Sequence, residues 1–208
     1  YISSTTTVTV VNTPTLSAIS TTVCEGYAFL LTASNANNSG EVWSTSNPAV
    51  ATVTSTGTGA ASVAGVSAGT VTISYTDGNG CSTTSSILVS ASPSASLDDN
   101  TPSVCGTIST YQLDLSSITG SPNEYRIDYS VGSLADVGST SLTGTTLTMN
   151  VPTSTEGTYG ASLFLKNTSS NCEGAAISFT LNIDAQPNAQ LAVTDATICN
   201  GSATSITV

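Results

Sequence analysis

The sequence predicts an all-β protein, and three observations carry that expectation. Serine and threonine make up roughly a third of the 208 residues, far above ordinary usage. Threonine and valine, both β-branched, suit the pleated and half-buried surface of a strand. Apolar residues recur at period two, as in "TTTVTVV" (Thr5–Val11), "TVTISY" (Thr70–Tyr75) and "ISFTLNI" (Ile177–Ile183). Charged residues are only 7% and hydrophobic ones 38%, so the chain lacks the low hydrophobicity and high charge of disorder.

The strands fall into repeats. "TVTVVNTPTLSAISTTVCEG", "ILVSASPSASLDDNTPSVCG" and "TLNIDAQPNAQLAVTDATICNG" share one plan. Each is an alternating strand, a polar stretch with one proline (Pro14, Pro93, Pro187), then a hydrophobic residue before a cysteine and a glycine soon after. The cysteines are Cys24, Cys105 and Cys199, with steps of 81 and 94 residues. Each step has the length of one immunoglobulin-like β-sandwich. The fold expected is therefore a tandem of such sandwiches, each with one disulfide. Residues 1–11 read as the last strand of a preceding repeat, 12–92 as domain one, 93–186 as domain two, and 187–208 as a linker and the start of a third repeat.

Cysteine pairing follows from this plan as an expectation. Cys81 and Cys172 lie in polar turns before the last strand of each repeat. If Cys24 and Cys105 sit at the same pole as those turns, the pairs are Cys24–Cys81 and Cys105–Cys172. Each closes about 60 residues and contributes roughly 3–4 kcal/mol in the chain-entropy account. Cys199 then pairs with a cysteine further downstream. A reactive thiol is the weaker alternative, since no cationic residue is near Cys199 in sequence.

Composition excludes several functions. The net charge is −11, with only Arg126 and Lys166 positive, so no basic stripe for nucleic acid or anionic lipid exists. No apolar run is long enough to span a membrane as a helix. Histidine is absent, which removes Ser-His-Asp and Cys-His machinery. The thirteen acids are scattered and read as a solvated surface, so no enzyme is expected. Few lysines and cysteines at loop-like positions favour an oxidising, extracellular setting.

Three groups stand out as candidate sites. Asp98, Asp99 and Asn100 form an oxygen-rich cluster assigned to the inter-domain linker, a candidate Ca²⁺ set if Asp136 and Glu173 join it; the plainer reading is a solvated turn. Trp43, the one tryptophan, is expected in the core rather than as a sugar-stacking platform. Tyr125, Ile127 and Tyr129 share one strand face, with Arg126 and Asp128 on the other.

Two resemblances add to this reading. "WSTSNPAVATVTSTG" with "VAGVSAGTVTISYT" resembles the bacterial group 2 immunoglobulin-like domain, through Trp43, Ser46-Asn47-Pro48, Val50, Val53, Gly65 and Ala68-Gly69. "TGSPNEYRIDYS", "VPTSTEGTYGASLFLKN" and "NCEG" are similar to repeats of very large surface proteins of Bacteroidota-type bacteria, through Tyr125, Ile127, Asp128, Pro152, Gly157, Tyr159 and Cys172. The second resemblance implies type IX secretion and a scaffold or adhesin role. The function expected is a stalk of a surface adhesin whose partners are neighbouring repeats, copies of itself, or surface glycans and other cells. Two alternatives are a filament or sheath subunit joined head to tail by β-strand addition, and a carbohydrate-binding module with an exposed aromatic patch.

Overall fold

A computed structural model describes residues 8–105, 109–129, 135–151 and 156–185. The alternation read in "TVTISY" places Val71, Ile73 and Tyr75 on one face, and all three are buried. They belong to β7 of the first sandwich. Its strands are β1 (Thr15–Ala18), β2 (Thr22–Cys24), β3 (Ala28–Ser34), β4 (Val42–Thr45), β5 (Ala51–Gly57), β6 (Ala60–Gly65), β7 (Gly69–Thr76) and β8 (Ser82–Ser90). One sheet has the order β1-β3-β6-β5 and the other β2-β8-β7-β4. Val23, Leu31, Val63, Ile73, Ile87 and Val89 close the core between them. Period-two burial on both inner faces is what makes two sheets pack rather than one stand alone.

The second sandwich repeats the plan with one change. Its strands are β9 (Ser94–Leu97), β10 (Ser103–Cys105), β11 (Thr110–Thr119), β12 (Glu124–Tyr129), β13 (Val137–Ser141), β14 (Thr146–Asn150), β15 (Gly157–Asn167), β16 (Cys172–Glu173) and β17 (Ile177–Asp184). The sheets are β14-β11-β9 and β10-β17-β15-β12-β13, with β16 paired to β15. In the first sandwich β5 pairs with β6, but its counterpart β13 pairs with β12 in the opposite sheet. Leu113, Tyr125, Ile127, Leu147, Leu163, Leu165 and Leu181 form a separate core. Tyr125 and Ile127 are both buried, as their spacing predicts, and the Tyr125 hydroxyl donates to the Thr148 carbonyl at 2.7 Å.

The outer face of β12 carries charge. The Arg126 guanidinium stacks on the Phe164 ring at 3.7 Å and binds Glu173 (Nη2–Oε1 3.0 Å) and Asp128. Hydrogen bonds that its N–H groups donate to the carboxylates of Glu173 and Asp128 raise its pKa, so it stays charged at every working pH.

Sequence and structure differ at the entry to the first sandwich. "TTTVTVV" alternates like a strand, but Val8–Val11 forms none, and Val8 and Val10 are exposed. Alternation sets the two faces of a segment; pairing needs a neighbour. Residues 1–7, and the expected third repeat at 187–208 with Cys199, lie outside the described residues.

Candidate functional site

The candidate functional feature of this molecule is the joint between the sandwiches. It begins with how the first strand is split. β1 runs antiparallel to β3, and the chain crosses at Ile19–Thr21 to the other sheet. There β2 pairs parallel with the last strand, with Cys24 beside Ser90. A strand parallel to the last strand leaves the sandwich at the same pole. Cys24 therefore lies at the exit of the first sandwich, against the linker.

This corrects the expected pairing. Cys81 immediately precedes β8 and Cys24 sits beside its far end, so the two are about 30 Å apart at the rise of a β-strand. A disulfide needs Cα atoms within about 7 Å. The same holds in the second sandwich, where Cys105 sits beside Asp184 at the end of β17 and Cys172 lies at the opposite pole. The bond present is Cys24–Cys172, with Cα atoms 5.6 Å apart and 148 residues between them in sequence. It crosses the joint and ties the exit of one sandwich to the entry of the next. Cys81 and Cys105 are free thiols, the second exposed.

Other residues hold the same joint. Glu25, next to Cys24, accepts the Ser92 amide at 3.2 Å and the Ala68 amide at 2.7 Å through its two carboxylate oxygens. The Ser92 hydroxyl donates to the Glu25 carbonyl at 2.9 Å, and the Glu25 amide to the Ser90 carbonyl at 3.0 Å. The linker is thus fastened to the first sandwich. On the other side, buried Pro93 is seated against two glycines of the second. A Cβ on Gly174 would fall 1.8 Å from the Pro93 carbonyl oxygen, and one on Gly120 would fall 2.7 Å from Pro93 Cα. Neither position has room for a side chain. Asn167 binds the Gly120 carbonyl through Nδ2 at 3.0 Å, and its Oδ1 accepts the Ser169 and Ser170 amides. That network shapes the turn that presents Cys172, which is fully buried.

The turn at the far pole of the first sandwich is built alike. Asp77 is a buried carboxylate, 3% exposed. Burial pushes its pKa up, but amides of Asn37, Cys81 and Asn79 donate to it and outweigh that, holding it below the usual aspartate value. Sequence reading marked Pro93 as the proline of a repeat linker but gave no role to Glu25, Asp77, Gly120 or Gly174. The signal for Glu25 was its place beside Cys24. The glycines become meaningful only once Pro93 is known to pass over them.

The remaining candidates are placed as follows. Asp98-Asp99-Asn100 lies between β9 and β10, inside the second sandwich rather than in the linker, which is Ala91–Pro93. All three residues are exposed, and Asp99 accepts the Thr101 amide as a turn cap. Asp136 accepts the Tyr129 amide, and Glu173 is engaged by Arg126. No group of three His, Cys, Asp or Glu side chains able to hold a metal occurs among the described residues. Trp43, on the outermost strand of its sheet, is half-buried, packs on the first core, and meets the Tyr75 ring at 4.6 Å. Its indole donates to Glu41 at 3.3 Å. Among the described residues Tyr27 is the one exposed aromatic side chain, so the aromatic patch that the carbohydrate-binding alternative requires is not assembled there.

Comparison with curated proteins found no match. Among solved structures, domains 4 and 5 of the S-layer protein SbsC are 15% identical with a TM-score of 0.34, over 83% of this chain and 98% of that one. The D0–D1 domain of intimin is 14% identical with a TM-score of 0.31, over 79% and 97%. The Yersinia pseudotuberculosis adhesin InvE is 16% identical with a TM-score of 0.30, over 82% and 59%. Residues 4–87, a span that takes in β1 to β7 and most of β8, match the family described as bacterial Ig-like domain (group 2).

Proposed function

We infer that this chain is a braced segment of an extracellular bacterial protein, a stalk of immunoglobulin-like sandwiches that carries an adhesive region away from the cell. The observation behind this reading is the Cys24–Cys172 bond, which joins two sandwiches that each have their own core. A bond so placed is not needed to complete either core. Its effect is on the joint, where it adds a second covalent connection beside the three-residue linker. Tethered domains with a small interface ordinarily reorient freely. Here a disulfide, the Glu25 clamp and the seated Pro93 remove that freedom. Persistence of the disulfide calls for an oxidising compartment. The group 2 match over residues 4–87 supports a bacterial origin, and the similarity of the second repeat to Bacteroidota-type surface repeats makes type IX secretion the export route to test.

Two measurements decide the reading. An antibody against the chain should label intact cells of the source bacterium; labelling only after permeabilisation would overturn the surface assignment. Residual dipolar couplings should fit one alignment tensor for both sandwiches in the oxidised protein and two after reduction. Two independent tensors before reduction would remove the bracing role.

A further inference from the structure

The bonded pair Cys24–Cys172 and the free pair Cys105 and Cys81 are the same two positions of the fold. Cys24 pairs with Ser90, the last residue of β8, and Cys105 with Asp184, the last residue of β17, both in parallel ladders. Cys172 faces Asn167 across its hairpin, and Cys81 faces Asp77. Each of these Asx side chains accepts amides of its own turn and is bonded to the loop between the third and fourth strands of its sandwich. A left-handed residue precedes each turn cysteine: Gly80 at φ 83° and Asn171 at φ 55°. The prolines leading into the two sandwiches, Pro14 and Pro93, are both buried. The linker pattern also recurs. Ser90-Ala91-Ser92-Pro93-Ser94-Ala95-Ser96-Leu97 aligns without a gap with Asp184-Ala185-Gln186-Pro187-Asn188-Ala189-Gln190-Leu191.

The geometry points to Cys105 and Cys81 as the open halves of the same brace. Cys105 bonds the turn cysteine of an Ig-like repeat that follows the second sandwich, and Cys81 bonds the first-strand cysteine of one that precedes the first. The partner is an adjacent repeat of this build on the same polypeptide, because only an equally short linker brings the two poles together as Ala91–Pro93 does. Formation of each bond removes two protons and two electrons from two thiols. A disulfide oxidant such as oxidised glutathione accepts them, one thiolate attacking it and the second closing the protein bond with release of two reduced thiols. This extends the bracing reading and rests on it: a brace at one joint becomes a brace at every joint.

The test is a tandem in which residues 14–186 are followed directly by a second copy of 14–186. The new joint, Asp184-Ala185-Gln186-Pro14, reproduces the spacing of Ser90-Ala91-Ser92-Pro93. The protein is refolded in a glutathione redox buffer and its disulfides are mapped by mass spectrometry without reduction. The expected product has Cys24–Cys172 in each copy, Cys105 of the first copy bonded to Cys81 of the second, and two free thiols per molecule. Cys81→Ser in the second copy should raise that number to three. Four free thiols with both Cys24–Cys172 bonds intact would overturn the proposal and leave the bracing reading standing. Failure of Cys24–Cys172 itself would overturn both. Cys105–Cys81 bonds found between molecules, with the internal joint open, would overturn the adjacent-repeat assignment in favour of assembly between copies.

Discussion

Replacing Cys24 with serine should uncouple the unfolding of the two sandwiches, and the size of the effect follows from loop lengths. When both sandwiches unfold, the Cys24–Cys172 bond closes a loop across 148 residues, worth about 5 kcal/mol in the chain-entropy account. When only the second unfolds, the loop runs from Pro93 to Cys172, about 80 residues and about 4.5 kcal/mol. When only the first unfolds, it runs from Cys24 to Pro93, about 70 residues and about 4.4 kcal/mol. The bond thus protects whichever sandwich would open first, and adds only about half a kcal/mol for the second. The two are coupled by about 4 kcal/mol, or roughly three powers of ten in an equilibrium constant. These values are ceilings, because the brace also orders the native joint. Trp43, the one tryptophan, reports on the first sandwich alone, and hydrogen exchange with mass spectrometry follows both. Oxidised protein should melt in one transition. Cys24→Ser should show two, the earlier of them lower by at least about 10 °C for a sandwich of this size. Midpoints that move by less than about 2 °C, or a single transition that persists without the bond, would refute the reasoning.

Other outcomes follow from the same contacts. Gly65→Ala places a Cβ 2.8 Å from the Cys24 carbonyl oxygen and 3.0 Å from Val89, so the first sandwich should lose about 1–3 kcal/mol in urea titration. Leu163→Ala should cost the second sandwich about 2–5 kcal/mol, and should lower the Trp43 transition only while Cys24–Cys172 is intact. The Asp77 carboxyl has a folded pKa below its unfolded one, so its contribution is present above the unfolded value and lost as pH falls through the folded one. NMR shifts of the Asn79 and Cys81 amides should titrate below the usual aspartate range, and Asp77→Asn should abolish that titration. Burial first, and Asp136 second, push the Tyr129 hydroxyl up to about 12. Stability linked to Tyr129 should therefore fall as pH rises above the ordinary tyrosine value, and ultraviolet titration should find Tyr129 and the buried Tyr75, whose hydroxyl burial also pushes up, ionising late.

Much of the fold was legible because burial alternates cleanly. "TVTISY" and "ISFTLNI" mark β7 and β17, and Tyr125 with Ile127 marks the inner face of β12. The cysteine positions also marked the repeats. The pairing was not legible, because it depends on which pole Cys24 reaches. That is decided at Ile19–Thr21, where the chain leaves one sheet for the other between β1 and β2. Ile19 is 97% exposed at this crossing, so an apolar residue stands where periodicity would put an inward one. The same limit applies to β5 and β13. Both are poor in large apolar residues, and which sheet each joins depends on its connections rather than its own pattern. Glu25 was illegible for another reason. A glutamate beside a cysteine looks solvated until the linker is seen to return over it.

The bond between Cys24 and Cys172 also changes how the polypeptide carries a load. Tension applied along the chain passes from Cys24 straight to Cys172 through sulfur. The stretch between them, spanning a separation of 148 residues, lies off the load path and cannot be drawn out, even if either sandwich opens. At the extended length of a polypeptide, that withholds about 500 Å of slack. Where ordinary tandem domains lengthen by unravelling one after another, this pair behaves as a link of nearly fixed length until the bond is reduced.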